Sequence, residues 1–134
     1  MGKVKIRVDW DGNYGAAPAN ENIACVVTAK TLEELKRNMD YSLRLHIASM
    51  REDGDDIPVE FEGEIELEFE LTGRALVHYA EGLVDRAALA KLSGINKVQL
   101  GHYSTGRSTP RPQQVERIKN GIRAIAAQLS ALSL

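Results

Sequence analysis

The chain has 134 residues, of which 43% are hydrophobic and 27% are charged, proportions typical of a globular protein. It contains no apolar run near the roughly 20 residues of a membrane span and no signal-peptide core, so we expect a cytoplasmic protein without a membrane partner. The single cysteine, Cys25, excludes an internal disulfide bond and fits a reducing compartment.

The net charge of −2 is distributed unevenly along the chain. Residues 1–72 contain 8 Lys and Arg against 16 Asp and Glu, whereas residues 73–134 contain 9 against 3. The first part therefore carries −8 and the second +6, which predicts two domains, 1–72 and 73–134, with different partners. Each part is small enough that its core is marginal, so oligomerisation or a bound partner is expected.

The N-terminal part reads as strands followed by a long helix. Residues 3–8 alternate cationic and apolar side chains, which predicts a strand with one exposed face. A turn then leads to a second strand beginning at Tyr14, and the apolar run at residues 23–28 predicts a central strand. The sequence of residues 31–34 is a capping box, which opens an amphipathic helix predicted to end near Arg51.

A strict alternation follows at residues 64–71. Four apolar side chains face one way and four glutamates face the other: Glu64, Glu66, Glu68 and Glu70. Such a strand can be a charged edge that resists aggregation between sheets, or it can be a docking surface for a basic partner. The charges alone do not separate these two interpretations.

The C-terminal part contains two short helical patterns within residues 86–110, separated by a glycine turn. Gly94 stands where a left-handed residue is needed, Ile95 returns to the core, and Asn96 can cap the second helix. Pro110 prevents an immediate restart. The pattern is that of a DNA-binding helix-turn-helix, in which the second helix enters the major groove.

Helices are also predicted on both sides of this pattern. Thr72 can cap a helix over Gly73–Glu81, and Pro112 can open a final helix that ends near Leu132. Apolar residues recur in that final helix at alternating steps of four and three: Ile118, Ile122, Ile125, Leu129 and Leu132. This seam must pack on its own domain or against a second copy, and we expect a homodimer, possibly a higher oligomer.

Residues 89–96, with Leu100, Tyr103, Gly106 and Pro110, resemble the frame of the Cro/lambda-repressor (XRE) family of helix-turn-helix domains. The resemblance implies that the outward residues of the second helix read base edges: Lys97, Val98, Gln99 and His102. It also implies that a second set holds DNA phosphates: Arg86, Arg107, Ser108, Thr109 and Arg111. The alternative is a helical hairpin that serves only as scaffold.

The N-terminal part resembles the HicB antitoxin family in residues 14–18, 23–26 and 31–35. That resemblance implies an α+β protein: a partial ribonuclease-H-like β-β-β-α-β domain, then an all-α helix-turn-helix domain. It implies an antitoxin that neutralises a small basic HicA-like RNA-cleaving toxin and represses its own operon by binding operator DNA. The acidic charge of residues 1–72 suits such a toxin, which favours docking for the glutamate row at residues 64–70.

Two other functions compete with this one. A stand-alone XRE-type transcriptional regulator would use the N-terminal domain to sense a ligand or a protein. A metal-dependent nuclease would need carboxylates that converge on a metal from separate strands. Asp9 and Asp11 flank a tryptophan next to a turn and the glutamates share one face of one strand, so we expect no enzyme, no metal site and no cofactor.

Overall fold

The structure is a computed structural model and describes residues 2–134. The chain divides into two compact units, one ending at Leu71 and one beginning at Thr72, against a predicted boundary between residues 72 and 73. The first unit contains a four-stranded mixed sheet and one long helix, and the second contains four helices. The predicted α+β class is therefore confirmed.

The sheet of the first unit has four strands, β1 Gly2–Trp10, β2 Tyr14–Pro18, β3 Val27–Ala29 and β4 Ile65–Leu71. Their order is β3-β2-β1-β4, so β1 and β2 are central and β3 and β4 lie at the edges. Neighbouring pairs are antiparallel except for β1 and β4, which run parallel. A parallel pair needs a long crossover connection, and residues 11–64, which include β2, β3 and the long helix, supply it.

Helix α1 spans Leu32–Glu52, close to the predicted range. The hydroxyl of Thr31 accepts a hydrogen bond from the backbone N–H of Glu34 at 3.2 Å, as the capping box predicts. The apolar stripe of α1 is wholly buried at Leu35, Met39 and Leu43. This stripe and the inward side chains of the sheet form the core of the first unit.

The prediction of a central strand at residues 23–28 was wrong. Only Val27–Ala29 forms β3, and it lies at an edge of the sheet. Ile23 and Cys25 are buried while Val26 is 76% exposed, so the run has one inward and one outward face. Its partner β2 ends at Pro18, which has no N–H with which to extend a ladder.

The predicted alternation of the last strand is present in β4. Its glutamates are exposed and its apolar side chains are half-buried. The parallel register sets the cations of β1 beside those glutamates: Lys3 beside Glu66, Lys5 beside Glu68 and Arg7 beside Glu70. The Nζ atom of Lys5 lies 3.2 Å from the carboxylate of Glu70. The outer face of the sheet therefore carries a row of positive charge next to a row of negative charge.

The second unit consists of α2 Gly73–Glu81, α3 Arg86–Ser93, α4 Lys97–Ser104 and α5 Pro112–Ser130. The predicted bounds of α2 are confirmed, and α5 ends two residues before the predicted Leu132. All four helices contribute to a single apolar core: Val77, Ala80, Leu89, Ile95, Leu100, Tyr103 and Ile118. Across residues 2–134, no helix combines the length and the apolar character that crossing a membrane would require.

Candidate nucleic-acid interface

The turn between α3 and α4 has the conformation that the sequence predicts. Gly94 ends α3 with a φ of 74°, in the left-handed region that a residue without a Cβ adopts at little cost. Its backbone N–H donates to the carbonyl of Ala90 at 3.0 Å, and the hydroxyl of Ser93 accepts from the N–H of Ile95 at 3.2 Å. The Ile95 side chain is 3% exposed, so it anchors the turn in the core.

Helix α4 is fixed at its start and on one face. The Oδ1 atom of Asn96 accepts from the N–H groups of Val98 at 2.7 Å and Gln99 at 3.3 Å. Leu100 and Tyr103 are buried in the core. Val98 is 65% exposed, so the first turn of α4 presents its other face to the surroundings. A short helix held in this way presents side chains rigidly, which suits readout of base edges.

The four predicted base-reading residues differ in exposure. Lys97 and Val98 are exposed, whereas Gln99 and His102 are half-buried. The side-chain amide of Gln99 donates to the hydroxyl of Ser108 at 3.1 Å. This amide has two N–H groups and an acceptor oxygen, so one N–H and the oxygen are left for the two-point contact that an adenine edge offers.

An open cleft of about 960 Å³ brings several of the predicted DNA contacts together. It lies between the first turn of α4, the loop that follows α4 and the first turn of α5. The predicted residues that line it are Val98, Gln99, Ser108, Thr109 and Arg111. The predicted contacts that line the cleft lie up to 13 positions apart in sequence, from Val98 to Arg111, so only the fold shows that they share one surface.

The other residues that line the cleft include Gln113 and Gln114, which the sequence did not indicate as DNA contacts. They belong to the first turn of α5, where backbone N–H groups have no partner within the helix and favour anions. Arg111 stands at the N-cap, and its guanidinium has no acceptor with which to satisfy those groups. Pro112 at the first helical position was the available signal, because it locates the start of the helix.

Arg86 has a different setting from the other predicted phosphate ligands. Its Nε atom donates to one carboxylate oxygen of Glu81 at 2.6 Å, and the hydroxyl of Ser104 donates to the other at 2.7 Å. The hydrogen bond that Arg86 donates to Glu81 raises the pKa of the Arg86 guanidinium above its usual value. The Glu81 carboxylate at the end of α2 thus links Arg86 at the start of α3 to Ser104 at the end of α4, and the role of Arg86 at a phosphate stays a prediction.

The same arrangement explains Gly101, which stands in the middle of α4. A Cβ atom at this position would lie 2.8 Å from Nη1 of Arg86. The missing side chain therefore gives the guanidinium room to lie along α4. This packing is not visible in the sequence, because Arg86 lies fifteen residues earlier in the chain.

The remaining predicted contacts lie outside the cleft. Lys97 and Arg86 border a smaller depression of about 360 Å³ together with Glu81 and Asp85, so its charge is mixed. Arg107 is exposed in the loop after α4. That loop is closed by the backbone N–H of Ser108, which donates to the carbonyl of His102 at 3.2 Å.

The predicted dimer seam of α5 divides into two parts. Ile118 is wholly buried in the core of its own unit, so it has no surface left for a second copy. Ile122 and Ile125 are partly buried against the same core. Leu129 and Leu132 are 56% and 57% exposed, so these two remain available to a partner.

Among residues 2–134, no group of three or more His, Cys, Asp or Glu side chains is placed to hold a metal ion. Comparisons with protein families, with curated proteins and with solved structures find no match to the chain. The functional argument therefore depends on the residues and their geometry.

Proposed function

We propose that the protein is a sequence-specific DNA-binding repressor whose N-terminal unit binds a basic partner protein, as in the HicB antitoxins. In this proposal α3 and α4 are a helix-turn-helix of XRE type, and α4 is its recognition helix. The observation that carries the proposal is the surface shared by Val98, Gln99, Ser108, Thr109 and Arg111 beside a rigidly held α4.

The chemistry of that surface supports two kinds of contact with DNA. Gln99 offers a donor and an acceptor for an adenine edge, and Val98 offers a methyl contact for thymine. Arg111, the hydroxyls of Ser108 and Thr109 and the N-terminal amides of α5 suit phosphates, which fix the position of the helix on the duplex. The excess of 9 basic over 3 acidic residues in this unit supports the same polyanionic ligand.

The N-terminal unit is assigned a different ligand on the basis of its charge. It carries 8 basic and 16 acidic residues, so it repels nucleic acid and attracts a basic protein. We take a partial ribonuclease-H-like fold for this unit and a HicA-like RNA-cleaving toxin for its partner. The exposed Leu129 and Leu132 at the end of α5 are proposed to pair two copies, which gives a dimer for a two-fold operator.

Selection from a random DNA library, followed by footprinting, tests the DNA-binding function. We expect an inverted repeat whose half-sites are about 10 base pairs apart, because a dimer reads the major groove once per helical turn. The matched control is the Val98→Ala/Gln99→Ala variant, which should still bind DNA weakly but enrich no motif. Equal affinity of the unaltered protein for all sequences at low salt would contradict the proposal.

Co-expression with the product of the adjacent gene tests the partner function. We expect a small basic protein to co-purify with the full chain, and the full chain to restore growth when that protein is toxic. A chain that shows neither effect but still selects a DNA motif would be a stand-alone regulator instead.

A further inference from the structure

Among residues 2–134, the outer strand β4 has a strand partner on one side only, so its other backbone edge is open to a further strand. It is the last strand of the sheet on its side, and β1 is its neighbour. The N–H of Gly2 donates to the carbonyl of Glu64 at 3.1 Å, which fixes the phase of the parallel ladder. Because alternate residues of a strand direct their backbone groups to the same side, those of Leu67 and Phe69 point away from β1.

The apolar side chains of β4 are incompletely covered. In β1, Val4, Ile6 and Val8 are at most 2% exposed, whereas the inward residues of β4 are all half-buried. Two long polar side chains of α1 lie near this edge. The ammonium of Lys36 lies 5.6 Å from the centre of the Phe69 ring, and Arg44 donates to the carbonyl of Ile65 at 3.4 Å. A further strand would remove more apolar surface from water.

On the opposite face, the glutamates of β4 form the outermost row of side chains. The strand that β4 already pairs with has the sequence Lys-Val-Lys-Ile-Arg-Val at residues 3–8. Its cations lie beside the glutamates, and its apolar residues lie in the core. A strand added on the free side of β4 would meet the same two faces, so the same alternation fits it.

A second copy of the chain fits this edge poorly. Antiparallel pairing of β4 with β4 about a two-fold axis would set glutamates opposite glutamates on one face. Like charges directly opposite each other in a sheet are destabilising. The edge therefore repels its own copy while it attracts a strand that carries lysine or arginine at every second position.

We infer that the free edge of β4 is the docking site for an extended segment of a partner protein in which basic and apolar side chains alternate. The segment adds to the sheet as a fifth strand through backbone hydrogen bonds, and the glutamates select its charge. This inference rests on the proposed function, because it names the surface by which the N-terminal unit would hold a basic partner.

A synthetic peptide with the sequence Lys-Val-Lys-Ile-Arg-Val is the probe, and it is titrated against the full chain at low salt. We expect saturable binding, with amide shifts in nuclear magnetic resonance spectra concentrated in β4. Glu66→Lys/Glu68→Lys should weaken binding about tenfold, because two favourable cross-strand pairs become repulsive. The matched control is Glu21→Lys/Glu52→Lys, which changes the net charge equally at exposed sites outside β4 and should leave binding within about twofold.

Methylation of the peptide amides separates strand addition from simple charge attraction. Two peptides are N-methylated at alternate residues, the first at its odd-numbered positions and the second at its even-numbered positions. In an added strand, only one of these two sets of amides faces β4, so one peptide should lose binding and the other should keep it. This comparison uses the unaltered protein and stands even if a lysine variant fails to fold.

Three results with the peptides would overturn the inference: no binding of the unmodified peptide, equal losses of affinity in both double variants, or equal binding of the two methylated peptides. Self-association of the unaltered chain that Glu66→Lys/Glu68→Lys abolishes would also overturn it, because a second copy would then occupy the edge. If the adjacent gene product still co-purifies with Glu66→Lys/Glu68→Lys, the docking site lies elsewhere while the proposed function survives. Failure of the proposed function is distinct, since no adjacent gene product would then co-purify even with the unaltered chain.

Discussion

The edge strand β4 and the helix α4 each expose one face of regularly spaced side chains. Different interactions hold the two elements in place. Helix α4 is positioned by neighbours within a few residues, namely the left-handed Gly94 and the cap at Asn96. Strand β4 is positioned by β1, which sets residue 65 beside residue 2. The bounds of a helix that local signals fix can therefore be recognised in the sequence, whereas the neighbour of a strand in its sheet cannot.

The largest expected effect concerns the division of α5 into a core part and an open part. Ile118→Ala should lower the free energy of unfolding of the second unit by about 2–5 kcal/mol, because it leaves a cavity among fully buried side chains. Leu129→Ala is the matched control and should cost below about 0.5 kcal/mol in dilute protein. Denaturant unfolding followed by circular dichroism measures both values.

The same pair of variants separates folding from dimerisation when protein concentration is varied. The loss of stability in Ile118→Ala should be independent of protein concentration. The loss of stability in Leu129→Ala should grow as the protein is concentrated into dimers. Equal losses in dilute protein would show that the far end of α5 also belongs to the domain core.

A smaller effect is expected for the side chains that are proposed to contact DNA. Gln99→Ala should reduce discrimination between operator variants by about 1–3 kcal/mol, because it removes a two-point contact to one base pair. Arg107→Ala should instead weaken binding to all sequences alike, since phosphate contacts carry no base information. Gel shifts over a panel of single-base operator variants measure both, and a uniform loss for Gln99→Ala would contradict base reading.

The smallest effect concerns the ion pair between Arg86 and Glu81. The geometry indicates that this ion pair links α2, α3 and α4. Arg86 and Glu81 should therefore show a coupling energy of about 0.5–3 kcal/mol in a double-mutant cycle. The cycle compares Arg86→Ala, Glu81→Ala and the double variant by thermal unfolding. The salt dependence of DNA binding should be unchanged by Arg86→Ala, and a shallower dependence would restore the predicted phosphate contact.

The local elements of this protein were predictable from the sequence because the groups that start and stop them are close neighbours. Thr31 and Asn96 accept the N–H groups predicted for them, and α2 has its predicted bounds. Gly94 adopts the left-handed conformation because the chain must turn at the residue directly after α3. In each case the deciding hydrogen bond spans at most four residues.

Tertiary structure decided what lies beside each element. The period of two in β1 and β4 predicted their faces but not their pairing, so the row of cations beside the glutamates was not foreseen. Side-chain alternation tells which way a residue points and nothing about its neighbour in the sheet. For the same reason the run at residues 23–28 was assigned to the centre of the sheet, although only its last part forms the edge strand β3.

The candidate DNA surface depended on both levels. The sequence alone determined the capped helix α4 and the polar residues around it, because these follow from spacing within about 25 residues. Only the tertiary structure shows that Gln99 donates a hydrogen bond to Ser108 and that the first turn of α5 lines the same cleft. It also shows that Arg86 pairs with Glu81. The physical reason is that caps and turns use short-range hydrogen bonds, whereas clefts and ion pairs depend on how separate helices pack.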